Sequence, residues 1–372
     1  MSEIVEEQYV TKTSIDVSQI YSFFELLVNM EMGDFYQTNY YVDKLKIDTD
    51  PEIPDMIPVI NNCYVELTNE CSLKCAYCSY PKLTACLACR KMNGSINMGS
   101  LTKFLDRIFN MKLKSLTFHG GDPLVNKTLV TDLIEFCREH SFKGQINLIT
   151  NGTLIDEQIV KVFSKYNVHP VLPVILNQNL RLNAKFKRKI ISVARLAHEA
   201  KVSFSITLLD SGNEDYLREE FKFAQLLEPR KINRAILLHG KGKITDKTHL
   251  SSEPLLDITE HVNPQVYQNN GKHHPCLFGR IAVSANGEIL PCPHMNSNIL
   301  GNINSTDSIN TIFEESLIDK FWDLSLPKIK MCQECEFAFG CYDCRAAELE
   351  FTEDLCEKNI CSLDRNKLKV IR

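Results

Sequence analysis

Three cysteines near the first predicted strand have the spacing of a metal-binding motif. Cys71, Cys75 and Cys78 are separated by three and then two residues. Three thiolates bind three irons of a four-iron cluster, so the fourth iron is left open for a small molecule. A structural zinc site instead takes four protein ligands, which usually come as two pairs. The spacing therefore predicts an iron–sulfur cluster that binds a small molecule at its open iron.

Two further polar segments follow predicted strands. The first reads His119-Gly120-Gly121-Asp122-Pro123, and the second reads Thr150-Asn151-Gly152. Paired glycines let the backbone turn sharply and approach a ligand closely, and their carbonyl groups can accept hydrogen bonds from an ammonium group. We therefore expect both segments to lie beside the small molecule.

The remaining cysteines are concentrated in the C-terminal quarter. The chain has 15 cysteines in 372 residues, and none lies between Cys137 and Cys276. In a reducing compartment such clustering indicates metal ligands rather than disulfides. The candidates are Cys276, Cys292, Cys332, Cys335, Cys341, Cys344, Cys356 and Cys361. The closely spaced pairs at 332–335 and 341–344 also allow a zinc site.

Other residues near these motifs have several interpretations. Cys86 and Cys89 form a redox pair, a substrate-facing thiol or a chance surface pair. His273, His274 and His294 flank the tail cysteines, and we expect them at surface or supporting positions rather than as ligands. Cys63 and Cys137 fit apolar core positions.

The elements that position these motifs alternate between strand and helix. Apolar, β-rich runs at 63–67, 116–118, 146–149, 171–176, 202–209 and 235–238 predict six strands. Segments with helical period lie between them, and the first is predicted to begin at the cap Ser100. Such alternation implies a parallel sheet with right-handed crossovers. In this architecture the chemistry belongs at the C-terminal ends of the strands.

Three regions are predicted along the chain. Residues 1–56 form an extension with an amphipathic stretch, which covers the barrel or recognises a substrate. Residues 57–268 carry the six strands. Residues 269–372 form a small cysteine-rich module with an Asn286-Gly287 hairpin and a helix over 309–322.

Composition excludes several classes of function. The net charge is −5, without long runs of one sign, which argues against a nucleic-acid partner. The acidic N-terminus is unlike a signal or transit peptide, and no apolar run reaches the length of a membrane span. A cytoplasmic protein with no membrane partner is expected.

The first three motifs resemble those of the radical S-adenosylmethionine (SAM) superfamily. The resemblance implies a partial (β/α)6 barrel in which Cys71, Cys75 and Cys78 hold a SAM-binding [4Fe-4S] cluster. It further implies that Tyr77 lies beside the adenine and that Gly120, Gly121, Asp122 and Pro123 hold the amino group of SAM. Asp122 stands where the family has glutamate. Thr150, Asn151 and Gly152 are expected near the ribose and carboxylate of SAM.

The tail resembles the SPASM domain, which carries auxiliary [4Fe-4S] clusters in radical SAM maturases. The resemblance implies one cluster on Cys276, Cys292 and Cys344 and another on Cys332, Cys335, Cys341 and a late cysteine. Spacing favours Cys361 for that last position, with Cys356 completing the first cluster or standing aside.

The implied function is modification of a ribosomally made precursor peptide, through a thioether or carbon–carbon crosslink. An electron donor such as flavodoxin or ferredoxin is the implied partner. The alternatives are a maturase of the sulfatase-activating type, which acts on a folded protein, and a non-catalytic iron–sulfur protein.

Overall fold

The computed structural model contains the six predicted barrel strands, the two strands of the predicted hairpin and one further strand. The structure describes residues 60–73, 96–174, 184–210, 214–236, 264–305, 308–335, 337–341 and 343–358, together with five helical residues between 22 and 29. The first six strands are β1 (Asn62–Thr68), β2 (Ser115–Gly120), β3 (Gln145–Ile149), β4 (Val168–Val174), β5 (Ser205–Asp210) and β6 (Lys231–Ile236). The last three are β7 (Arg280–Val283), β8 (Glu288–Leu290) and β9 (Gly301–Asn302).

All nine strands belong to one sheet. Its order is β6-β5-β4-β3-β2-β1-β7-β8-β9, and each neighbouring pair from β6 to β7 is parallel. Consecutive strands β1 to β6 lie side by side with a helix in each connection, as right-handed crossovers require. This arrangement confirms the predicted partial (β/α)6 barrel.

The helices of the barrel are α1 (Met98–Phe109), α2 (Lys127–Glu139), α3 (Glu157–Tyr166), α4 (Ala184–Glu199) and α5 (Glu214–Gln225). Each of the first three buries one apolar stripe spaced three and four residues apart. In α1 the stripe is Leu101, Phe104, Leu105 and Ile108. In α2 it ends at Cys137, which belongs to the core as expected, as does Cys63 of β1. The buried stripes fix these helices against the sheet, so that the strand ends stay free for the site.

Two predicted helix details differ from the structure. The cap of α1 is Asn97 rather than Ser100, because the Asn97 side chain accepts a hydrogen bond from the Ser100 backbone N–H at 3.0 Å. The helix predicted over residues 309–322 is two short helices, α7 (Ser308–Glu314) and α8 (Asp319–Trp322). Between them Ser316 has a φ of 53°, which α-helical geometry does not allow.

The C-terminal strands extend the barrel sheet. The helix α6 (Pro264–Lys272) precedes β7, and β7 pairs in parallel with β1 through Asn62 and Arg280. The predicted Asn286-Gly287 hairpin joins β7 to β8, and Gly287 has the positive φ of 80° that such a turn needs. The tail ends in α9 (Arg345–Thr352). No helix in the described segments is long and apolar enough to span a bilayer.

Candidate functional site

The C-terminal ends of β1, β2 and β3 bring three of the predicted segments together. Cys71 follows β1, the segment Gly120–Pro123 ends β2, and Thr150–Gly152 follows β3. The Gly121 N–H donates to the Thr68 carbonyl and the Asp122 N–H donates to the Glu70 carbonyl, both at 2.7 Å. The loop that leads to Cys71 is therefore held against the glycine turn. Cys75, Tyr77 and Cys78, as well as Cys86 and Cys89, lie outside the described residues.

The two glycines are required by backbone packing. Gly120 has a φ of 146°, and a Cβ atom there would lie 2.2 Å from the Thr68 carbonyl oxygen. A Cβ on Gly121 would lie 2.2 Å from the Glu70 carbonyl oxygen. Glycine was expected here to admit a ligand, and the structure adds a different reason. The turn lies so close to the β1 loop that any side chain would displace the segment bearing Cys71.

Asp122 joins the ends of β2 and β3. Its Oδ1 atom accepts hydrogen bonds from Thr150 Oγ1 at 2.8 Å and from the Leu124 N–H at 3.2 Å. The other oxygen, Oδ2, is buried and has no hydrogen-bond partner among the residues that the structure describes. Burial raises the pKa of Asp122, while the bonds from Thr150 and Leu124 lower it by less. An orphan buried acceptor beside the loop of Cys71 fits a ligand that brings an ammonium group.

Asn151 connects the β3 end to the cysteine motif. Its side-chain amide donates to Cys71 Sγ at 3.5 Å and to Ser72 Oγ at 3.3 Å. The Ser72 and Thr153 hydroxyls are 2.8 Å apart. These contacts join the first predicted cluster ligand to the third polar segment.

In the tail, Cys276, Cys292 and Cys344 are electrostatic neighbours. Burial raises the pKa of Cys292, the Arg280 guanidinium lowers it, and Cys276 raises it further. Although Cys344 is exposed as a residue, neighbouring atoms desolvate its thiol and raise its pKa, and Cys276 and Cys292 add to the rise. These three are the set predicted for one auxiliary cluster, and iron binding would have to displace the protons of Cys292 and Cys344.

Cys332, Cys335 and Cys341 form the second set. Burial raises the pKa of Cys332 to about 11, with smaller increases from Cys341 and Cys335. Cys356 packs in the same apolar cluster, and its carbonyl accepts a hydrogen bond from the Lys330 N–H at 3.1 Å. The structure thus places Cys356 beside the second set, whereas spacing favoured Cys361, which lies outside the described part of the chain.

A buried ionic network lies between the two sets. The Asp343 carboxylate accepts hydrogen bonds from His274 Nε2 at 3.1 Å, Arg345 Nη2 at 2.6 Å and Lys358 Nζ at 2.5 Å. His274 Nδ1 in turn accepts the Cys276 N–H at 3.1 Å, so the histidine proton lies on Nε2. Burial alone would raise the pKa of Asp343, but its hydrogen bonds and the Lys358 and Arg345 charges hold that pKa well below its usual range.

The network contains residues that the sequence motifs did not identify. His274 was expected in a supporting position, and it is fully buried there. Asp343, Arg345 and Lys358 were not predicted, and the only available signal was that Asp343 and Arg345 flank Cys344. Arg280 was also missed. Its guanidinium lies 5.2 Å from the centre of the Tyr64 ring, and its pKa is raised by the neighbouring Cys276 although burial opposes this.

The described cysteines do not converge on a single point. Within the described ranges, no three Cys, His, Asp or Glu side chains come close enough to hold one metal ion. In a four-iron cluster each thiolate binds a different iron, so its ligands surround the cluster rather than one atom. The two thiol sets supply the donor chemistry that iron–sulfur clusters use.

Family models match both parts of the chain. The model of the radical SAM superfamily matches residues 65–224, and that of the SPASM iron–sulfur cluster-binding domain matches residues 275–336. The first match runs from β1 into α5, and the second begins just before Cys276.

Several characterised proteins are similar in sequence. The antilisterial bacteriocin subtilosin biosynthesis protein AlbA of Bacillus subtilis is 24% identical over 81% of this chain and 70% of its own length. A PqqA peptide cyclase of Granulibacter bethesdensis is 24% identical over 61% of this chain and 66% of its own length.

The fold is also similar to solved structures. The structure of anSMEcpe with bound AdoMet and the Kp18Cys peptide has a TM-score of 0.61 and 20% sequence identity, over 80% of this chain and 92% of that one. At this identity the likeness concerns the fold.

Proposed function

The chain belongs to the radical SAM enzymes that carry a SPASM domain, and from this premise we propose that it modifies a ribosomally made precursor peptide. Relatives named for bacteriocin biosynthesis and for peptide cyclisation support a peptide substrate. We propose a thioether or carbon–carbon crosslink as the product. A flavodoxin or ferredoxin would serve as electron donor.

The observation that carries the proposal is the convergence of three strand ends. Cys71, the Gly120–Asp122 turn and Asn151 lie together at the C-terminal edge of the sheet, where parallel α/β enzymes place their chemistry. We propose that Cys71, Cys75 and Cys78 hold the SAM-binding cluster. When bound, that cluster supplies the electron that cleaves SAM and generates a 5'-deoxyadenosyl radical.

The chain's own residues would bind and orient the cofactor. Asp122 Oδ2 offers a buried acceptor for the ammonium group of SAM, and the Gly120-Gly121 turn keeps the Cys71 loop at a fixed distance from it. We propose that Tyr77 lies beside the adenine and that Pro123 sets the shape of the turn. We also propose that Thr150 and Gly152 lie on the ribose side of SAM. The barrel would exclude water from the radical.

The two tail sets are proposed to hold auxiliary clusters. Cys276, Cys292 and Cys344 would hold one, and Cys332, Cys335, Cys341 and either Cys356 or Cys361 the other. These cysteines would thereby supply an acceptor for the electron that remains when a crosslink closes, or a site for a substrate thiolate. Anaerobically reconstituted protein should then contain about 12 irons per chain.

The test is an anaerobic assay with reductant, SAM and the short peptide encoded beside this gene. The peptide should lose two hydrogens while 5'-deoxyadenosine forms, and tandem mass spectrometry should show a segment that no longer fragments. Cys71→Ala should abolish both products, whereas Cys137→Ala, which removes a thiol of the hydrophobic core, should retain them.

Other results would change the assignment. Modification of a folded sulfatase in the same assay would favour the sulfatase-activating type of maturase. Reduced, iron-loaded protein that leaves SAM intact would point to a non-catalytic iron–sulfur protein. Zinc in place of iron and sulfide in the tail would overturn the auxiliary clusters.

A further inference from the structure

The orientation of the Asn151 amide is fixed by a neighbouring threonine. Asn151 Oδ1 accepts the Thr153 backbone N–H at 2.9 Å and the Thr153 hydroxyl at 2.5 Å. A backbone N–H can only donate, so the atom that it contacts must be the amide oxygen. The amide nitrogen therefore points to the opposite side, which is the side of Cys71.

A ring of hydrogen bonds completes this arrangement. Asn151 Nδ2 donates to Ser72 Oγ at 3.3 Å, and the Ser72 and Thr153 hydroxyls are 2.8 Å apart. Because the Thr153 hydroxyl already donates its proton to Asn151, the Ser72 hydroxyl donates to Thr153. The donor and the acceptor of every hydrogen bond in the ring are therefore assigned. The second amide proton of Asn151 remains, and it is donated to Cys71 Sγ at 3.5 Å.

Cys71 also receives a backbone donor. The Leu73 N–H donates to Cys71 Sγ at 3.4 Å. The sulfur thus receives N–H groups from its own loop and from the loop after β3. Two N–H donors stabilise a thiolate more than a neutral thiol, so this environment suits a metal ligand.

We propose that Asn151 is a positioning residue for the SAM-cleaving cluster, which it supports through an N–H···S bond to the ligand Cys71. This inference rests on the proposed function, since it requires a cluster on Cys71. It gives Asn151 a role different from the contact with SAM that the resemblance implies. The bond fixes the direction of the Cys71 side chain and ties the cluster to the end of β3.

The hydrogen bond should also raise the reduction potential of the cluster. Reduction adds negative charge, part of which resides on the sulfur ligands, and a donated N–H stabilises that charge. Loss of one such bond should lower the ratio of reduced to oxidised cluster about fivefold at the parent's midpoint potential, as expected for a hydrogen bond of ordinary net strength.

The experiment is a redox titration followed by electron paramagnetic resonance, with reconstituted full-length protein and no SAM present. The SAM-cleaving cluster is identified in a parallel sample as the one whose signal changes when SAM is added. Asn151→Ala and Asn151→Asp should both shift its midpoint to more negative potential with unchanged iron content. The aspartate variant keeps the acceptor for Thr153 but has no donor for Cys71, so it carries the test if the alanine variant loses iron.

Asn147→Asp is the matched control. It introduces the same substitution on β3, where the Asn147 amide donates to Ser115 Oγ at 2.9 Å and to Thr117 Oγ1 at 3.3 Å rather than to a cysteine. Its SAM-responsive cluster should keep the parent potential.

The outcomes separate the inference from the proposed function. Asn151 variants with an unchanged potential would overturn the inference, and weaker SAM binding in the same variants would assign Asn151 to SAM instead. An equal shift of the midpoint potential in Asn147→Asp would show that the added negative charge causes the change. That result would also overturn the inference. Parent protein without any SAM-responsive cluster would refute the proposed function itself.

Discussion

At the scale of single residues, Asp122 combines a satisfied oxygen with an unsatisfied one. The Oδ1 atom is held by Thr150 and Leu124, while the buried Oδ2 has no partner in the described part of the chain. A buried acceptor of this kind costs stability unless a ligand satisfies it. We therefore propose that the shorter aspartate, which stands in place of the glutamate of the family pattern, still binds an ammonium group.

Asp122→Asn should weaken SAM binding about tenfold or more, because a hydrogen bond between charged groups is replaced by a neutral one. Burial raises the pKa of Asp122, so the parent should also lose SAM affinity as the pH falls towards that raised pKa. Equilibrium binding of SAM to reconstituted protein at several pH values measures both effects. Asp106→Asn, an exposed position on α1, is the control that should bind SAM as the parent does. Equal affinity and equal pH dependence in Asp122→Asn would remove Asp122 from the SAM site.

Asp343 is the residue on which the buried network of the tail depends. It neutralises Arg345 and Lys358, both almost fully buried, and it accepts a hydrogen bond from His274 Nε2. Replacement by asparagine leaves the two buried cations with only the longer contacts to Glu348, at 3.7 Å from Arg345 and 3.8 Å from Lys358. The loss of the Asp343 charge should therefore cost at most the roughly 3–5 kcal/mol that is typical of a broken buried ion pair. Asp343→Asn should therefore lose iron from both auxiliary sets and unfold at lower denaturant concentration, as measured by iron analysis and chemical denaturation.

The pH dependence of stability should differ between Asp343→Asn and the parent. The folded pKa of Asp343 is depressed, so its contribution is fully present above the unfolded pKa near 4 and is lost as the pH falls through the folded value. The difference in unfolding free energy between parent and variant should shrink below about pH 4. A difference that stays constant down to pH 3 would contradict the role of the charge.

These residues show what a single sequence reveals about a site. Cys71 was identified by its spacing from two other cysteines, and Gly120 and Asn151 by their places in polar segments that follow predicted strands. Arg280 was missed because it contacts Tyr64, which is far away in the sequence. Lys358 was missed because its partner Asp343 lies 15 residues earlier, beyond the reach of a short motif. The packing role of Gly120 was missed for the same reason, since it depends on the Thr68 carbonyl of another strand.

At the scale of elements, the start of α1 depends on one side chain. Asn97 has the extended backbone of a cap residue, and its side chain satisfies the Ser100 N–H. Asn97→Ala should lower the free energy of unfolding by about 1 kcal/mol, whereas Ser100→Ala should change this free energy by only about a few tenths of a kcal/mol. Chemical denaturation of both variants checks this. A larger effect at Ser100 would restore the cap predicted from the sequence.

The segment after α9 carries Cys356, which we propose as the late ligand of the second set. Arg345 Nη1 donates to the Leu355 and Glu357 carbonyls, and this holds the Cys356 segment beside Cys332, Cys335 and Cys341. We therefore expect Cys356→Ala to remove about four irons per chain. Cys361→Ala is the comparison, measured by iron analysis and electron paramagnetic resonance. Loss in Cys361→Ala alone would support the choice that spacing favoured.

Helices and strands whose apolar residues recur with a strong period were predicted well. The residues at which these elements begin and end were not. The six barrel strands and five helices follow from apolar patterns, because one face of each must be buried. The break between α7 and α8 was missed, since the apolar residues Ile309, Ile312, Ile318 and Phe321 remain buried on both sides of Ser316 and preserve the pattern across it.

At the scale of the whole molecule, the tail and the barrel share one sheet. The parallel pairing of β7 with β1 covers the edge next to the first cysteine motif, and Glu66 Oε2 accepts the Ala285 N–H at 3.1 Å. The boundary predicted after residue 268 falls between β6 and β7, and hydrogen bonding continues from one region to the other. The auxiliary sets are therefore tied to the same sheet that presents Cys71.

This continuity predicts that the barrel region depends on the tail. A protein ending at residue 268 would expose the β1 edge and the apolar residues that pack on β7, and an uncovered strand edge promotes aggregation. We expect it to elute as aggregates in size-exclusion chromatography and to lose the cooperative unfolding of the full chain. The control is full-length protein with Cys332→Ala, Cys335→Ala and Cys341→Ala, which should lose about four irons but retain the sheet. A shortened protein that is monomeric, unfolds cooperatively and still binds SAM would show that the tail is an independent module. The tail and the Cys71 site would then be connected only when both contact the same substrate.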